Sequence, residues 1–374
     1  MSFVTTDEQK ALRQSVRSFL ESKSDEAAVR AAMVSEFGFD RGLWDQLAGQ
    51  LGLAGLTIPE EYGGSVSSGS SMSDLAVVMS ELGRFLVCSP YFASVVLTAN
   101  AFLESGDKEA CLAYLPLLAS GELIGALAAN ERTAELAPEA DRTSAELVGD
   151  AWQLNGEKNF VLAGLSADVL VVSAATPNGP SLFVVDGAHD SVQRTALSVM
   201  DLTRHQARLT FTRSPATLLG EAGTAGKVLA RVAELAAVAL ASEQSGAAER
   251  CLEMSVDYAK TRYQFGRQIG SFQVIKHMCA DMLLEVEAAK SAALYAAEQA
   301  AVAGAEATRS AHLAKAYCSD AFMKVAADNV QIHGGIGFTW ECAAQLYYKR
   351  AKSSQVLLGT PGYHREKLAG CSGL

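Results

Sequence analysis

Basic stretches are missing from this 374-residue sequence, in which 31 lysine and arginine residues are outnumbered by 42 acidic ones. No run of lysine or arginine occurs, and the formal net charge is −11. A nucleic-acid-binding surface needs a basic stripe or patch, so nucleic acid is excluded as a partner. The acidity is dispersed, which favours solubility and indicates no particular binding partner.

Paired cysteines are also missing. The seven cysteines are odd in number, scattered, and include no C-x-x-C motif. This spacing disfavours both a disulfide framework and a structural zinc site. We predict no metal site and interpret the cysteines as reduced thiols of a cytoplasmic protein.

No apolar run approaches the roughly 20 residues that a membrane-spanning helix needs. The N-terminal sequence MSFVTTDEQKALRQSV is polar and charged. It has neither the apolar region nor the small-residue cleavage site of a signal peptide. We therefore expect no membrane span and a soluble, cytoplasmic protein.

Hydrophobic residues make up 49% of the chain and charged residues 20%, as in ordinary globular proteins. Residues 1–123 carry apolar side chains at helical spacing, for example Leu12, Val16 and Leu20. The segments YFASVVLTANAFLESG and KEACLAYLPLLASGE predict two further helices there, each closed by a glycine. The first third is therefore predicted to be an N-terminal helical domain.

The hydrophobic period changes twice along the chain. Residues 124–225 contain short, partly β-branched runs separated by turn sequences, which predicts a small antiparallel barrel or sandwich. Residues 226–374 return to helical patterns, beginning with a long run without proline, and predict a long-helix bundle with oligomer contacts. The predicted fold is mainly α with a small β domain in the middle.

Three motifs resemble those of a known family. TRYQFGRQIGSFQ (residues 261–273) and QIHGGIGFT (residues 331–339) resemble the FAD-binding signatures of the acyl-CoA dehydrogenase family, and IPEEYGG near the N-terminus also resembles it. The resemblance covers essentially the whole chain and is strongest after residue 240. It implies bound FAD, an acyl-CoA substrate and an electron-transfer flavoprotein as electron acceptor.

The resemblance also implies residue roles at the adenine end of FAD. Arg262, Phe265 and Gln273 match positions that contact the adenosine diphosphate part. A pyrophosphate needs a fixed cation, which Arg262 at the end of the long predicted helix would supply. A single arginine near a helix end is ordinarily a solvated charge, so the assignment depends on both C-terminal motifs occurring together.

Gln331 and Gly335 match contacts made from a neighbouring subunit. Gly334 and Gly335 would let the backbone approach a ligand closely. A Gly-Gly-x-Gly sequence alone is usually a turn, and this one follows a helical run rather than a strand. The resemblance implies a shared site, hence a dimer or tetramer that is either a homo-oligomer or a hetero-oligomer.

The flavin-ring segments depart from the family pattern. The family commonly carries Thr-Glu-Pro-x-x-Gly-Ser-Asp under the ring, and AANERTAELA stands here with only Glu131 retained. In NGEKNFVLAG, Phe160 keeps the family's aromatic residue and is assigned to the cofactor site. Leu162 stands where a hydroxyl would contact the flavin.

The usual catalytic base is absent. Many family members carry it as a glutamate before Gly-Thr, where this chain has Leu358 before Gly359 and Thr360. Leucine cannot take a proton, although the Leu358 backbone N–H could bind the thioester oxygen. We therefore assign Leu358 to the substrate site.

Some family members carry the base on the first long C-terminal helix, where four glutamates are candidates: Glu234, Glu243, Glu249 and Glu253. We expect Glu234 to be solvated, and Glu249, Glu253 and Asp257 to lie in a solvated acidic stripe. Glu243 differs because small or apolar residues stand one turn away on either side. A buried carboxylate there is costly without a purpose, so Glu243 is the predicted base; the alternative is a hydrogen bond to a neighbouring helix or subunit.

The predicted function is FAD-dependent α,β-dehydrogenation of an acyl-CoA thioester to a 2-enoyl-CoA. LASEQSGAAER around Glu243 resembles bacterial relatives, some of which act in hetero-oligomers on bulky substrates such as steroid side chains. Two alternatives stay open. One is a catalytically silent partner subunit that shares FAD sites, and the other is a flavin oxidase or monooxygenase of the same fold.

Overall fold

The computed structural model describes residues 6–66, 72–133, 135–136 and 142–371. The chain divides into two compact units. The bundle unit comprises Met1–Ala31, Met72–Val87 and Ala237–Leu374, and the barrel unit comprises Ala32–Ser71 and Cys88–Ala236. These two units do not coincide with the predicted domains 1–123, 124–225 and 226–374. The division into three domains remains a prediction.

The α-helices dominate the structure. They are α1 (Asp7–Lys23), α2 (Glu26–Met33), α3 (Arg41–Asp45), α4 (Met72–Arg84), α5 (Asn100–Ser105), α6 (Lys108–Ser120), α7 (Ala225–Thr261), α8 (Gln273–Gln299), α9 (Ala305–His333), α10 (Ala344–Val356) and α11 (Pro361–Cys371). Short π-helical turns continue α3 over Gln46–Gln50 and precede α5 over Phe92–Ala99. No helix in the described ranges combines the length and the hydropathy that a membrane crossing requires.

Local sequence explains where several helices begin and end. The α1 helix begins with a capping box in which Thr6 and Gln9 each accept the other's backbone N–H through their side chains. The predicted glycine stops are confirmed at Gly106 and Gly121, which end α5 and α6 in the left-handed conformation.

The middle strands are β1 (Gly125–Ala128), β2 (Ser144–Val148), β3 (Ala151–Leu162), β4 (Val169–Thr176), β5 (Gly179–Asp186), β6 (Val192–Ala196) and β7 (Gln206–Leu219). Pairings run β4–β5–β7–β3–β2 and return to β4, so the sheet closes on itself. The β1–β4 and β2–β4 pairs are parallel, whereas an all-antiparallel arrangement was expected. Leu154, Val172 and Phe183 fill the interior.

The long helix α7 is buried all round over its middle, since every residue from Leu235 to Ala248 is buried. Two glycines bring α4 close to it. A Cβ atom on Gly83 would lie 2.0 Å from the Glu243 carbonyl oxygen, and one on Gly246 would lie 1.9 Å from that of Ser80. The two backbones are therefore in contact, which only glycine at both positions permits.

The predicted fold class is confirmed: helices come first, a small β-barrel lies in the middle of the sequence, and a bundle of long helices follows. The sequence pattern missed α11, because Gly-Thr-Pro-Gly suggests a turn. The structure shows that Thr360 caps this helix, its hydroxyl accepting the Tyr363 N–H at 3.3 Å. Pro361 then occupies the first helical position, where its missing N–H costs nothing.

Candidate active site

Glu243 is buried in the bundle unit, with its side chain 5% exposed. Its Oε1 accepts a hydrogen bond of 2.8 Å from the guanidinium of Arg350 on α10, whose side chain is 3% exposed. A cation at this distance offsets part of the cost of withdrawing the carboxylate from water. The neighbouring helix contact that the sequence left open as an alternative is therefore present, and it is made to a charged partner.

The remaining acids of α7 are used differently. Glu249 accepts from Lys290 at 2.8 Å and lies 3.6 Å from Arg84. Glu253 pairs with Arg84 and Arg250. Burial alone would raise the pKa of Glu253, but the hydrogen bonds from Arg84 and Arg250 outweigh burial and lower it. The expectation of a solvated stripe is thus wrong for Glu249 and Glu253.

Asp257 and Glu234 complete the comparison along α7. Asp257 is exposed, as expected for the acidic stripe. Glu234 is 20% exposed and lies 3.2 Å from Arg231, so it is more buried than the expected solvated position. Glu243 remains the α7 carboxylate that is most fully withdrawn from water.

Leu358 lies in a tight turn between α10 and α11. It adopts φ +62°, a left-handed conformation that bulky residues rarely take. The residue is 6% exposed, and its carbonyl oxygen is 3.0 Å from His364 Nε2. In the part of the chain that the structure describes, the Leu358 N–H has no hydrogen-bond partner. An unused N–H on a buried, strained turn is a donor available to a ligand.

One element connects the two predicted catalytic features. Helix α10 carries Arg350, the partner of Glu243, and ends at Val356, two residues before Leu358. The position of the Leu358 turn therefore depends on the same helix that holds the Glu243 carboxylate.

Arg262 follows α7 and opens a small hairpin of β8 (Tyr263–Gln264) and β9 (Arg267–Gln268). Its side chain is exposed, and among the described residues no carboxylate pairs with it. At the tip, Phe265 and Gly266 both have positive φ, as a two-residue type I′ turn requires. Phe265 is 89% exposed there, in a conformation unfavourable for an aromatic residue. This geometry presents a cation and an aromatic face to an external ligand or partner.

The second motif ends α9. Gln331, Gly334 and Gly335 are exposed, and a Cβ atom on either glycine would meet no atom within 4 Å. The structure brings the two motifs together through their helices, since the rings of Tyr258 and His333 stack with centroids 4.3 Å apart. Gln273 is the first residue of α8 and is also exposed; its Nε2 lies 3.4 Å from His277 Nε2.

In the barrel unit, the Glu131 carboxylate accepts hydrogen bonds from a buried lysine and from the backbone. Its carboxylate accepts from Lys158 Nζ at 2.8 Å and from the backbone N–H groups of Arg142 and Thr143 at 2.9 and 3.1 Å. Both Glu131 and Lys158 side chains are fully buried. Glu131 therefore anchors the segment AANERTAELA. Ala134 and Ala137 of that segment lie outside the described residues.

Phe160 occupies a β-bulge. The register between β3 and β7 shifts between Lys158 and Val161, and Phe160 takes φ +57° with 42% of its surface exposed. Bulges of this kind redirect a side chain and are frequent beside active sites. Leu162, at the position where a hydroxyl was expected, is buried.

Sequence reasoning missed Arg350, Lys315 and His364. The sequence assigned no role to Arg350, although Leu346 and Ser354, one turn away on either side, mark a helix face with little charge. Lys315 is wholly buried on α9, and His364 is buried on α11. Within the described ranges, no group of three or more His, Cys, Asp or Glu side chains is placed to hold a metal ion.

Residues 6–122 match the family model for the acyl-CoA dehydrogenase N-terminal domain, and residues 225–370 match that for the C-terminal domain. The acyl-CoA dehydrogenase IpdE2 of Mycolicibacterium smegmatis is 37% identical over 363 residues, which cover 97% of each chain.

Two solved structures share the fold over nearly the full length. Butyryl-CoA dehydrogenase from Megasphaera elsdenii superposes with a TM-score of 0.90 at 27% identity, covering 100% of both chains. A variant of the Tcur3481–Tcur3483 steroid ACAD superposes with a TM-score of 0.86 at 29% identity, covering 98% of both. Together with the two family models, these likenesses show that the chain belongs to the acyl-CoA dehydrogenase family of flavin-dependent oxidoreductases.

Proposed function

We propose that this chain catalyses the FAD-dependent α,β-dehydrogenation of an acyl-CoA thioester to a 2-enoyl-CoA, with Glu243 as the base. The observation that carries the proposal is the buried Glu243 carboxylate, held by Arg350 on the helix that leads to the Leu358 N–H, which has no partner among the described residues. Membership of the family supports the reaction type. An electron-transfer flavoprotein is the proposed electron acceptor.

Glu243 and Leu358 have complementary roles in this proposal. Glu243 accepts the α-proton on a carboxylate oxygen, and the hydrogen bond from Arg350 holds that carboxylate in place. The Leu358 N–H donates to the thioester oxygen, where negative charge develops as the proton leaves. Because both groups are withdrawn from water, each interaction is stronger than it would be at the surface.

The described residues fit FAD. Arg262 offers a cation without a carboxylate partner, and the bare backbone at Gly334 and Gly335 gives a diphosphate room to approach. Phe265, Gln273 and Gln331 complete the adenine-end contacts implied by the motifs, and Phe160 is proposed to contact the ring system. When bound, FAD supplies the hydride acceptor.

We also propose an oligomer in which two subunits share each FAD site. Support comes from exposed apolar side chains in the bundle unit: Phe265 (89%), Phe338 (77%), Leu284 (71%), Val274 (63%) and Trp340 (59%). Four of these five residues lie in the two motifs (residues 261–273 and 331–339) or directly after them, where a neighbouring subunit would cover them if the FAD site is shared. The Tcur3481–Tcur3483 steroid ACAD pairs two gene products and acts on steroids by its name, so a hetero-oligomer and a bulky acyl group are part of the proposal.

A cytoplasmic location completes the proposal. All seven cysteines are free in the structure, and four of them are buried: Cys88, Cys111, Cys251 and Cys318. Burial raises the pKa of the Cys111 thiol to about 11, so that thiol stays protonated and unreactive at neutral pH. Reduced, inert thiols are typical of proteins in a reducing compartment.

The experiment that tests the function is flavin reduction by a panel of acyl-CoA thioesters under anaerobic conditions. The purified protein should be yellow, and Glu243→Gln should keep FAD while slowing flavin reduction by at least ~10²-fold, the scale of a lost general base. Asp257→Asn is the matched control, because it makes the same change on an exposed residue of the same helix. Wild-type rates in Glu243→Gln would place the base elsewhere.

A catalytically silent partner subunit is the second candidate. Leu358 at the usual position of the base favours it. The Glu131 carboxylate favours it as well, because it is already paired with Lys158. In that case Glu243 serves only to pair with Arg350. The chain alone would then never reduce its flavin, whereas co-expression with an active homologue would restore reduction, and Glu243→Gln would leave that restored rate unchanged.

A further inference from the structure

A buried ammonium group lies behind the Leu358 turn. Lys315 on α9 is 0% exposed. Its Nζ donates to Ser319 Oγ at 2.9 Å, to the Gly359 carbonyl at 3.2 Å and to the Gln355 carbonyl at 3.4 Å. Withdrawing a lysine charge from water is costly, and neither the proposed base nor the FAD contacts require this one.

The acceptors of Lys315 connect the two halves of the proposed chemistry. Ser319 Oγ also accepts from Gln244 Nε2 at 3.0 Å, and Gln244 adjoins Glu243 on α7. Gly359 follows Leu358 in the turn. A continuous hydrogen-bonded chain therefore runs from the helix of the base, through Ser319 and Lys315, to the turn that carries the proposed thioester donor.

His364 holds the same turn from α11. Its Nε2 is 3.0 Å from the Leu358 carbonyl, which can only accept, so Nε2 carries the proton. Its Nδ1 lies 2.9 Å from His312 Nδ1 on α9. Burial and the Lys315 charge lower the pKa of His364 to about 3, so its ring is neutral and Nδ1 accepts from His312. The carbonyls of Leu358 and Gly359 thus both accept hydrogen bonds, while none of the described residues accepts from the Leu358 N–H.

We propose that Lys315 is a positioning residue of the dehydrogenation reaction, which fixes the Leu358 turn against the Glu243 helix and places a buried positive charge behind that turn. The inference rests on the proposed function. Negative charge grows on the thioester oxygen as the α-proton leaves, and a fixed cation in a water-poor interior stabilises that charge more than it stabilises the neutral substrate. The effect of Lys315 should therefore appear in the rate of flavin reduction rather than in acyl-CoA affinity.

The test uses Lys315→Met, Lys315→Arg and Ser319→Ala in the FAD-loaded protein. The control is Lys324→Met, the same change on the same helix at a residue that is 49% exposed and paired with Glu285. Three quantities are measured: the anaerobic rate of flavin reduction, the absorption shift of an arylacryloyl-CoA, and the dissociation constant of the acyl-CoA. The second needs no turnover, because the absorption of this unsaturated thioester moves to longer wavelength when its carbonyl oxygen is polarised.

We expect Lys315→Met to slow flavin reduction by at least ~10-fold and to lose most of the absorption shift, while the acyl-CoA dissociation constant changes by less than ~3-fold. Lys315→Arg should restore part of both signals, and Lys324→Met should match wild type. Should Lys315→Met fail to fold, Lys315→Arg and Ser319→Ala decide, since both should reduce more slowly than wild type.

Wild-type rates and a wild-type absorption shift in the folded Lys315 and Ser319 variants would overturn the role of Lys315 while leaving the proposed function intact. A wild-type protein that is neither reduced by any acyl-CoA nor shifts the arylacryloyl-CoA spectrum would instead overturn the proposed function, and the role of Lys315 with it.

Discussion

The pair of Glu243 and Arg350 links the stability of the fold to the proposed chemistry. Both side chains are almost wholly buried, so removing one partner leaves a charge in a medium that solvates it poorly. Arg350→Met should lower the free energy of unfolding by about 3–5 kcal/mol, measured by urea denaturation. Adding Glu243→Gln to that variant should recover part of the loss, because the stranded charge is then removed.

The matched control for this change is Arg309→Met. Arg309 lies 3.6 Å from Glu306 on α9 with 45% of its side chain exposed, and a surface pair of this kind contributes at most about 1 kcal/mol. Equal losses of unfolding free energy in the Arg350 and Arg309 variants would show that the buried pair stabilises the fold no more than the surface pair does.

His364 predicts a loss of stability in acid. Burial, the Lys315 charge and His312 lower the pKa of His364 from 6.5 to about 3. The unfolded chain binds a proton near pH 6.5 that the folded chain does not bind until about pH 3, so the stabilisation is complete above pH 6.5 and is lost progressively below it. The free energy of unfolding should fall by up to about 1.4 kcal/mol per pH unit in this window.

Replacement of the ring isolates this effect. His364→Gln keeps an N–H donor for the Leu358 carbonyl but does not titrate, so its melting temperature should fall less than that of wild type between pH 6.5 and pH 4. His189→Gln, at an exposed residue of the barrel unit, should follow wild type. If the melting temperatures of wild type and His364→Gln fall equally between pH 6.5 and pH 4, the loss of stability in acid is not due to His364.

Among the helix contacts, the one between α4 and α7 leaves no room for an added side-chain atom. A Cβ atom at position 246 would lie 1.9 Å from the Ser80 carbonyl oxygen, so Gly246→Ala must push the helices apart. We expect a loss of about 1–3 kcal/mol or more in the free energy of unfolding. Because Glu243 is one turn away, flavin reduction should slow as well.

The control for the helix contact is Gly370→Ala. Gly370 is an exposed residue of α11, and a Cβ atom there would meet nothing within 4 Å. Alanine favours the helix by roughly 0.5–1 kcal/mol over glycine, so this variant should be neutral or slightly stabilised. A neutral Gly246→Ala would mean that the two backbones are not in contact.

At the scale of the whole molecule, the exposed apolar residues of the bundle unit predict that the protein forms an oligomer. Val274 follows Gln273 on α8 and is 63% exposed, whereas Val302, in the loop after α8, is 76% exposed. If two subunits share each FAD site, Val274→Asp should weaken the oligomer and lower FAD content. Val302→Asp should do neither. Light scattering and the flavin-to-protein absorbance ratio measure both, and an FAD-loaded wild-type monomer would contradict the shared site.

The sequence by itself determined the fold class and the local structure that depends on near neighbours. Helical spacing, glycine stops and turn sequences act over a few residues, so the helix–barrel–helix order and the long α7 could be predicted. The family and its flavin followed from motifs that are contiguous in the chain. Leu358 was identified as a residue that cannot be the base because side-chain chemistry alone decides that.

Tertiary structure decided which residues meet. Glu243 and Arg350 are 107 positions apart, and Lys315 reaches Gly359 across 44 positions; no local pattern encodes such pairs. The same holds for Glu249 and Glu253, expected in water but paired with cations contributed by other helices. Burial and charge pairing depend on how helices distant in sequence pack, and this packing sets whether a carboxylate is solvated or held beside a cation.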